Sequence, residues 1–363
     1  MAITNMEIEN GVQETHQTKL STDDSNKSFI ARWWLLLLNI ACTATGTIGG
    51  PLLLRLYFNH GGNRKWLPCW LQTVGFPIHV IPIAILYSRR TRGVKFFASP
   101  KLLLCAAVIG VFTGLDNFMY TLGLSYLPVS TSSLLLATQL AFTAFFSFII
   151  ARQKFTPFSI NAVVLMTLGA IVLGLRSAGD RPAGITGAEY MLGFILTIGS
   201  AGLLGFLLPV TEVTYAKATK AITYSIVLQF QFCLALFATI FCTIGMFINK
   251  DIGAIPREAS KFGLGPTKYY LLLASSVVVW QLMFLGIMGT IFCKSSLFAG
   301  VVNATLLPIT QIAGVIVYQE KFTGEKGMAL ALSTWGFISY FYGAYKDSKT
   351  QTAKEVGRQM ISH

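Results

Sequence analysis

Long apolar runs of roughly twenty residues, separated by short polar loops, dominate the chain. A helix needs about 20 residues to cross a hydrocarbon core about 30 Å thick. The pattern predicts ten spans, near 32–58, 66–88, 102–126, 128–151, 158–176, 189–215, 222–248, 269–293, 296–318 and 327–345. These runs are continuously apolar rather than alternating, which argues against a transmembrane β-barrel. The expected fold class is all-α integral membrane. Residues 1–31 are expected to form a disordered tail: they lack the apolar core of a signal peptide, and their polarity disfavours packing. Residues 346–363 are expected to form a C-terminal tail.

Composition agrees with this pattern. Of 363 residues, 53 % are hydrophobic and only 12 % charged, against about 25 % charged in soluble domains. The formal charge of +13 resembles a nucleic-acid signature, but the basic residues sit in short loops between apolar runs, where they set topology instead. No nucleic-acid partner is expected. An even number of spans puts both termini on one side, and 17 of the 28 Lys and Arg residues fall on that side. The positive-inside rule then makes both termini cytosolic. The basic loop residues behind this assignment include Arg89, Arg90, Arg92, Lys95, Lys154 and Lys220. The six cysteines form no Cys-x-x-Cys pair, so neither a disulfide framework nor a zinc site is expected.

An internal repeat carries the most information. Lys154-Phe155-Thr156 recurs 167 residues later as Lys321-Phe322-Thr323. At the same offset, without a gap, Thr138 matches Thr305, Thr143 matches Thr310, Ile149 matches Ile316 and Gly169 matches Gly336. Gly49 and Pro51 of the first span correspond more loosely to Gly205 and Pro209 of the sixth. The expected organisation is two five-helix repeats, 32–176 and 189–345. An odd number of spans per repeat inserts the second copy upside down, the architecture of alternating access with a site between the halves.

Polar side chains inside hydrocarbon are costly and mark candidate functional positions. Two acids lie within spans, Asp116 and Glu212. Thr113, Asp116, Asn117 and Tyr120 share one helix face by their spacing, and a buried carboxylate there could take up a proton near neutral pH. Glu212 is the second candidate for proton coupling, although an interfacial ion pair with Lys217 or Lys220 is as reasonable. The amides Gln72, Asn117, Gln139, Gln229, Gln231, Gln281, Asn303 and Gln311 offer donors and acceptors that suit the edge of a flat heterocycle, with packing glue between helices as the alternative for each. Under the repeat offset Asn303 corresponds to Leu136, one turn from Gln139, so Gln139 and Asn303 are expected to face one another. Thr138 joins them as a candidate substrate contact. Trp70, Tyr120, Trp280 and Trp335 could stack on a flat substrate. Trp33, Trp34 and Trp66 read as interfacial anchors. His79 reads as structural, and Arg55 as an anchor near the outer end of the first span. Pro51, Pro77, Pro82, Pro209 and Pro308 are expected to kink or interrupt their helices. No nucleophile elbow, zinc-protease motif or P-loop occurs, so neither an enzyme nor a cofactor is expected.

The stretch from Leu115 to Thr131, Leu-Asp-Asn-Phe-Met-Tyr-Thr-Leu-Gly-Leu-Ser-Tyr-Leu-Pro-Val-Ser-Thr, resembles the plant purine permease family. So do its continuation through Gln139-Leu140-Ala141-Phe142, the run Gly49 to Phe58, and Leu208 to Tyr215. Glu320-Lys321-Phe322-Thr323 with Gly336 is similar to the repeat ending of the wider drug/metabolite transporter superfamily. The resemblance spans about residues 33–345. It implies ten helices in two inverted bundles and proton-coupled uptake of adenine and related purines, cytokinins among them, most simply at the plasma membrane. A homodimer is compatible with it. An exchanger of nucleotide sugars would call for deep Lys or Arg, where this chain has acids. A passive facilitator stays open as the other rival.

Overall fold

The computed structural model describes residues 32–88, 98–152, 156–175, 181–182, 184–218 and 223–361. The expected tail at 1–31, the basic loop residues Arg89, Arg90, Arg92 and Lys95, and Lys154, Phe155 and Lys220 lie outside them. Among the described residues there are helices, turns and loops but no strand. The helices are α1 (Arg32–Asn59), α2 (Trp66–Leu71), α3 (Val80–Ser88), α4 (Pro100–Tyr126), α5 (Val129–Leu136), α6 (Gln139–Ile150), α7 (Pro157–Leu175), α8 (Gly187–Ala218), α9 (Tyr224–Ile248), α10 (Ile255–Lys261), α11 (Pro266–Cys293), α12 (Ser296–Tyr318) and α13 (Gly324–Ile361).

Among the described residues, eight helical stretches are long and apolar enough to cross a membrane: α1, Trp66–Ser88, α4, Val129–Ile150, α8, α9, α11 and α12. The expected spans at 158–176 and 327–345 fall on α7 and α13, which pack against each other. Helix α13 continues to Ile361, through the segment expected to be a separate tail.

The bundle reverses the polarity of a soluble core. Leu104, Phe247, Ile248, Leu271 and Trp335 are all more than 60 % exposed on its outside, while Thr, Ser, Asn and Gln side chains are buried within it. Apolar side chains gain nothing by leaving lipid, so close packing of small residues and interhelical hydrogen bonds hold such helices together. Gly110 and Gly114 on α4 illustrate the first device. A Cβ at Gly110 would lie 2.3 Å from the Leu234 carbonyl oxygen of α9, and one at Gly114 would lie 2.8 Å from the Phe241 ring.

Two spans are broken. After α2 the chain makes turns at 72–75 and a 3-10 helix, Phe76–His79, before α3 resumes. Pro77 supplies no N–H and disfavours helical geometry in the residue before it. The other break separates α5 from α6 at Ala137–Thr138 and involves no proline. There the Thr138 hydroxyl donates to the Leu135 carbonyl at 2.7 Å and the Ser133 hydroxyl to the Ser130 carbonyl at 3.0 Å, local bonds that compete with the helical ladder. Pro209 and Pro308, by contrast, sit inside α8 and α12 without interrupting them.

Carboxylates close two helix N-termini. Glu320 accepts the backbone N–H groups of Val129 and Ser130, both at 2.9 Å, at the start of α5. Glu212 of α8 accepts the N–H of Ser296 at 3.0 Å and a short bond from its hydroxyl at the start of α12. A carboxylate in this position satisfies orphan donors and complements the helix dipole. Beside Glu320, the buried Lys326 ammonium donates to the Ser130 hydroxyl at 2.5 Å and the Lys321 carbonyl at 2.9 Å. Arg55 donates to the Leu127 carbonyl at 3.3 Å near the same end of the bundle. The loop after α9 is tied down by Arg64, 3.3 Å from Asp251. Burial lifts the Asp251 carboxyl above the usual carboxylate range, and the Arg64 guanidinium opposes that shift.

Candidate functional site

Both helix breaks open onto one cavity. It holds about 50 Å³, room for a few water molecules, and is walled by α1, the α2 break, α4, the α5–α6 break, α8, α11 and α12. Its polar lining is Thr47, Gln72, Asp116, Asn117, Tyr120, Gln139, Ser200 and Asn303; Trp280, Met283, Phe284, Pro51 and three leucines, Leu136, Leu204 and Leu307, complete it. Among the described residues, no Lys, Arg or His contributes to the wall.

Gln139 and Asn303, expected to face one another, are hydrogen-bonded: Asn303 Nδ2 donates to Gln139 Oε1 at 2.8 Å. The Thr47 hydroxyl donates to Asn303 Oδ1 at 2.7 Å. Asp116 accepts from the Ser200 hydroxyl at 2.7 Å and pairs with no cation among the described residues. Gln72 Nε2 donates to the Thr121 hydroxyl at 2.8 Å. Tyr120 and Trp280 meet edge to face, with ring centroids 5.8 Å apart at 72°.

Three amide atoms at this wall are buried without a hydrogen-bond partner among the described residues: Asn117 Nδ2, Gln139 Nε2 and Gln72 Oε1. Two are donors and one is an acceptor, and each costs free energy until a ligand or water meets it. A flat, neutral heterocycle with mixed ring-edge groups matches this set. The Tyr120 and Trp280 rings supply an apolar, polarisable flank.

Several candidates stand elsewhere. Trp70 Nε1 donates to the Thr243 hydroxyl at 3.0 Å, tying α2 to α9. Gln229 Oε1 accepts the Ala98 N–H at 3.0 Å, ahead of α4. The Thr138 hydroxyl is engaged with the Leu135 carbonyl, and Glu212 holds the start of α12 rather than reaching the cavity. Gln281 lies behind the wall: its Nε2 donates to the Gln72 carbonyl at 3.1 Å and the Thr73 carbonyl at 3.0 Å, acceptors released where α2 breaks. Trp335 is 63 % exposed on the outside of α13, far too open to stack on an enclosed substrate. Gln231 and Gln311 are buried but do not line the cavity. His79 is buried in the 3-10 turn. Trp66 stacks on Phe118 at 4.1 Å instead of lying free at an interface.

Sequence reasoning passed over Thr47 and Ser200. Most hydroxyls in these helices donate to a carbonyl one turn back, as Thr43 does to Asn39 and Thr113 to Ile109. Thr47 and Ser200 donate across helices instead.

The comparison with known proteins meets this geometry. The profile of a family described as purine nucleobase transmembrane transport matches residues 34–350. Purine permease 3 of Arabidopsis thaliana is 46 % identical over 322 residues, covering 87 % of this chain and 92 % of the relative. This chain belongs to the purine permease family. Purine permease 2 of the same plant is 44 % identical over 339 residues, 88 % of this chain and 95 % of the relative. Purine permease 21 is 34 % identical over 335 residues, 91 % and 85 % of the two chains. The relatives are named as permeases, as expected for a transporter rather than an enzyme. The permease's match runs through every helix that walls the cavity.

Proposed function

We propose that the permease moves neutral purines and their derivatives, adenine and cytokinins among them, across the plasma membrane by proton-coupled alternating access. The observation that carries this reading is the buried wall of amides, aromatic rings and one carboxylate, without a cation among the described residues, in a member of the purine permease family. A phosphorylated substrate would need cations there, so the nucleotide-sugar exchanger is disfavoured. Asn117, Gln139 and Gln72 meet the ring edge, Asn303 holds Gln139, and Tyr120 and Trp280 flank the ring. Asp116 carries the proton: an isolated carboxylate in the membrane interior is costly as an anion, and proton uptake is the way to relieve that cost without a cation. One proton crossing about 100 mV releases about 2.3 kcal/mol, and one pH unit adds about 1.4 kcal/mol. Together they sustain a gradient of several hundred-fold.

The same reading includes ten spans in two inverted repeats, with α7 and the apolar start of α13 as the fifth and tenth and both termini in the cytosol. One contact supports it. A Cβ at Gly169 of α7 would lie 3.4 Å from the Ala329 carbonyl oxygen of α13, and one at Gly336 of α13 would lie 3.3 Å from the Ala162 carbonyl oxygen of α7. Gly169 and Gly336, like Ala162 and Ala329, stand 167 residues apart, so the crossing is reciprocal, as a twofold relation between repeats requires. The starts of α5 and α12, at 129 and 296, share that offset.

The test is uptake of labelled adenine by yeast lacking its own purine uptake, at pH 5 and pH 7.5, with and without a protonophore and with trans-zeatin as competitor. Accumulation at pH 5 that the protonophore abolishes, and Asp116→Asn uptake that only equilibrates, are expected. Equilibration alone in the unmodified permease would make it a facilitator.

A further inference from the structure

The cavity's amides are held in a fixed order by a residue outside the ring-edge set. Thr47 lies on α1, and its backbone carbonyl shares the Thr310 hydroxyl of α12, at 3.1 Å, with the Leu306 carbonyl at 3.2 Å, a contact that joins the two helices. From there the Thr47 hydroxyl reaches Asn303 Oδ1. The hydroxyl has no other acceptor among the described residues, so it must give its proton to Oδ1, and Asn303 is then committed: its Nδ2 faces Gln139 and donates to Oε1. Gln139 is committed in turn. Its oxygen is taken, and its Nε2 is left at the cavity wall, buried and without a partner among the described residues. An amide's two ends have opposite hydrogen-bonding character, so this order decides what the site can read.

Building on the purine-transport reading, we propose that Thr47 is a positioning residue for specificity: acting through Asn303, it presents the Gln139 NH₂ rather than the Gln139 carbonyl to the substrate ring. The site then selects a purine with a hydrogen-bond acceptor at that position. Adenine offers a bare ring nitrogen at N1, whereas hypoxanthine carries N1–H, a donor that would meet the Gln139 donor head-on. Without the Thr47 hydroxyl, Asn303 and Gln139 can both turn over, and the Gln139 carbonyl can accept from N1–H.

The experiment compares hypoxanthine and adenine as competitors of labelled adenine uptake in cells expressing the unmodified permease, Thr47→Val, Thr47→Ala and Thr47→Ser. The quantity read is the ratio of the two half-inhibitory concentrations, which is independent of the amount of permease at the surface. In the unmodified permease adenine competes better. In Thr47→Val the ratio falls roughly three- to tenfold, the worth of one neutral hydrogen bond; Thr47→Ala does the same should valine impair folding. Thr47→Ser, which keeps the hydroxyl, keeps the ratio. A purely structural role would weaken both competitors alike. Intact adenine uptake with an unchanged ratio in Thr47→Val and Thr47→Ala overturns the proposal and leaves the transport reading standing. Absence of adenine uptake by the unmodified permease overturns both.

Discussion

The contact between α8 and α6 offers a sharp test of how the cavity wall is held. Gly205 of α8 presses on the first turn of α6: a Cβ there would lie 2.6 Å from Phe142 Cβ, 3.0 Å from the Thr143 nitrogen and 3.1 Å from the Gln139 carbonyl oxygen. Carbon atoms sit comfortably at about 3.5–4.0 Å, so Gly205→Ala must drive the two helices apart by about 1 Å. The obstructing atoms are backbone and Cβ, which no rotamer change can move. Overpacking of this kind costs about 1–3 kcal/mol of stability. The functional cost is larger than that figure suggests, because Gln139 is itself one of the displaced residues. Its 2.8 Å bond to Asn303 does not survive a shift of that size, since contacts near 3.6 Å no longer count as hydrogen bonds. With the ring-edge donor misaligned as well, initial uptake at adenine concentrations well below half-saturation should fall by roughly five- to a hundredfold, two hydrogen bonds at roughly 0.5–1.5 kcal/mol each. Uptake is measured per unit of surface permease. Gly253→Ala is the control, because nothing lies within 4 Å of its Cβ, and it should stay within about twofold of the unmodified permease, as surface substitutions do. If Gly205→Ala keeps more than half of normal uptake, the tight α8–α6 contact does not position Gln139.

Other substitutions separate wall from scaffold. Gln281→Leu removes the donor to two buried carbonyls at the α2 break; at about 1–3 kcal/mol for each orphaned group, it should lower the melting temperature in detergent and raise the half-saturation concentration for adenine. Normal values of both would deny Gln281 its supporting role. Glu320→Gln turns one of the two acceptor oxygens that cap α5 into an NH₂ facing a backbone N–H. A loss of about 1–3 kcal/mol is expected, seen as a lower melting temperature with little change in substrate preference. Trp335→Ala should leave both uptake and competition by trans-zeatin unchanged, because the ring faces outward; a loss of affinity would put the stacking surface somewhere other than Tyr120 and Trp280.

What the sequence made legible follows from which forces leave a linear trace. Desolvation of charge does, so the apolar runs mark the spans, and Asp116 stands out as an acid where acids are rare. The repeat offset does as well: it places Gln139 opposite Asn303. Tertiary hydrogen bonding does not. Trp70 and Gln229 lie in apolar runs just as the cavity residues do, yet they are half-buried and spent on Thr243 and Ala98. Lys326 gives no hint in the sequence of being fully buried beside Ser130.

The helix breaks make the same point from the backbone's side. Five prolines marked places where spans could break, but Pro209 and Pro308 leave α8 and α12 continuous, while the α5–α6 break has none. A proline removes one donor and crowds one carbonyl, and neighbouring helices can absorb that within an unbroken span. A break needs more: somewhere for the freed backbone groups to go. At the α2 break Gln281 reaches across from α11 to take the Gln72 and Thr73 carbonyls. At the α5–α6 break the Thr138 hydroxyl takes the Leu135 carbonyl from within. Each break therefore depends on a polar side chain that never touches the cavity, and each turns an amide, Gln72 or Gln139, toward it. Gln281 and Thr138, candidate substrate contacts by sequence, are thus explained by the cavity's construction: they satisfy the backbone so that the helices can open onto it.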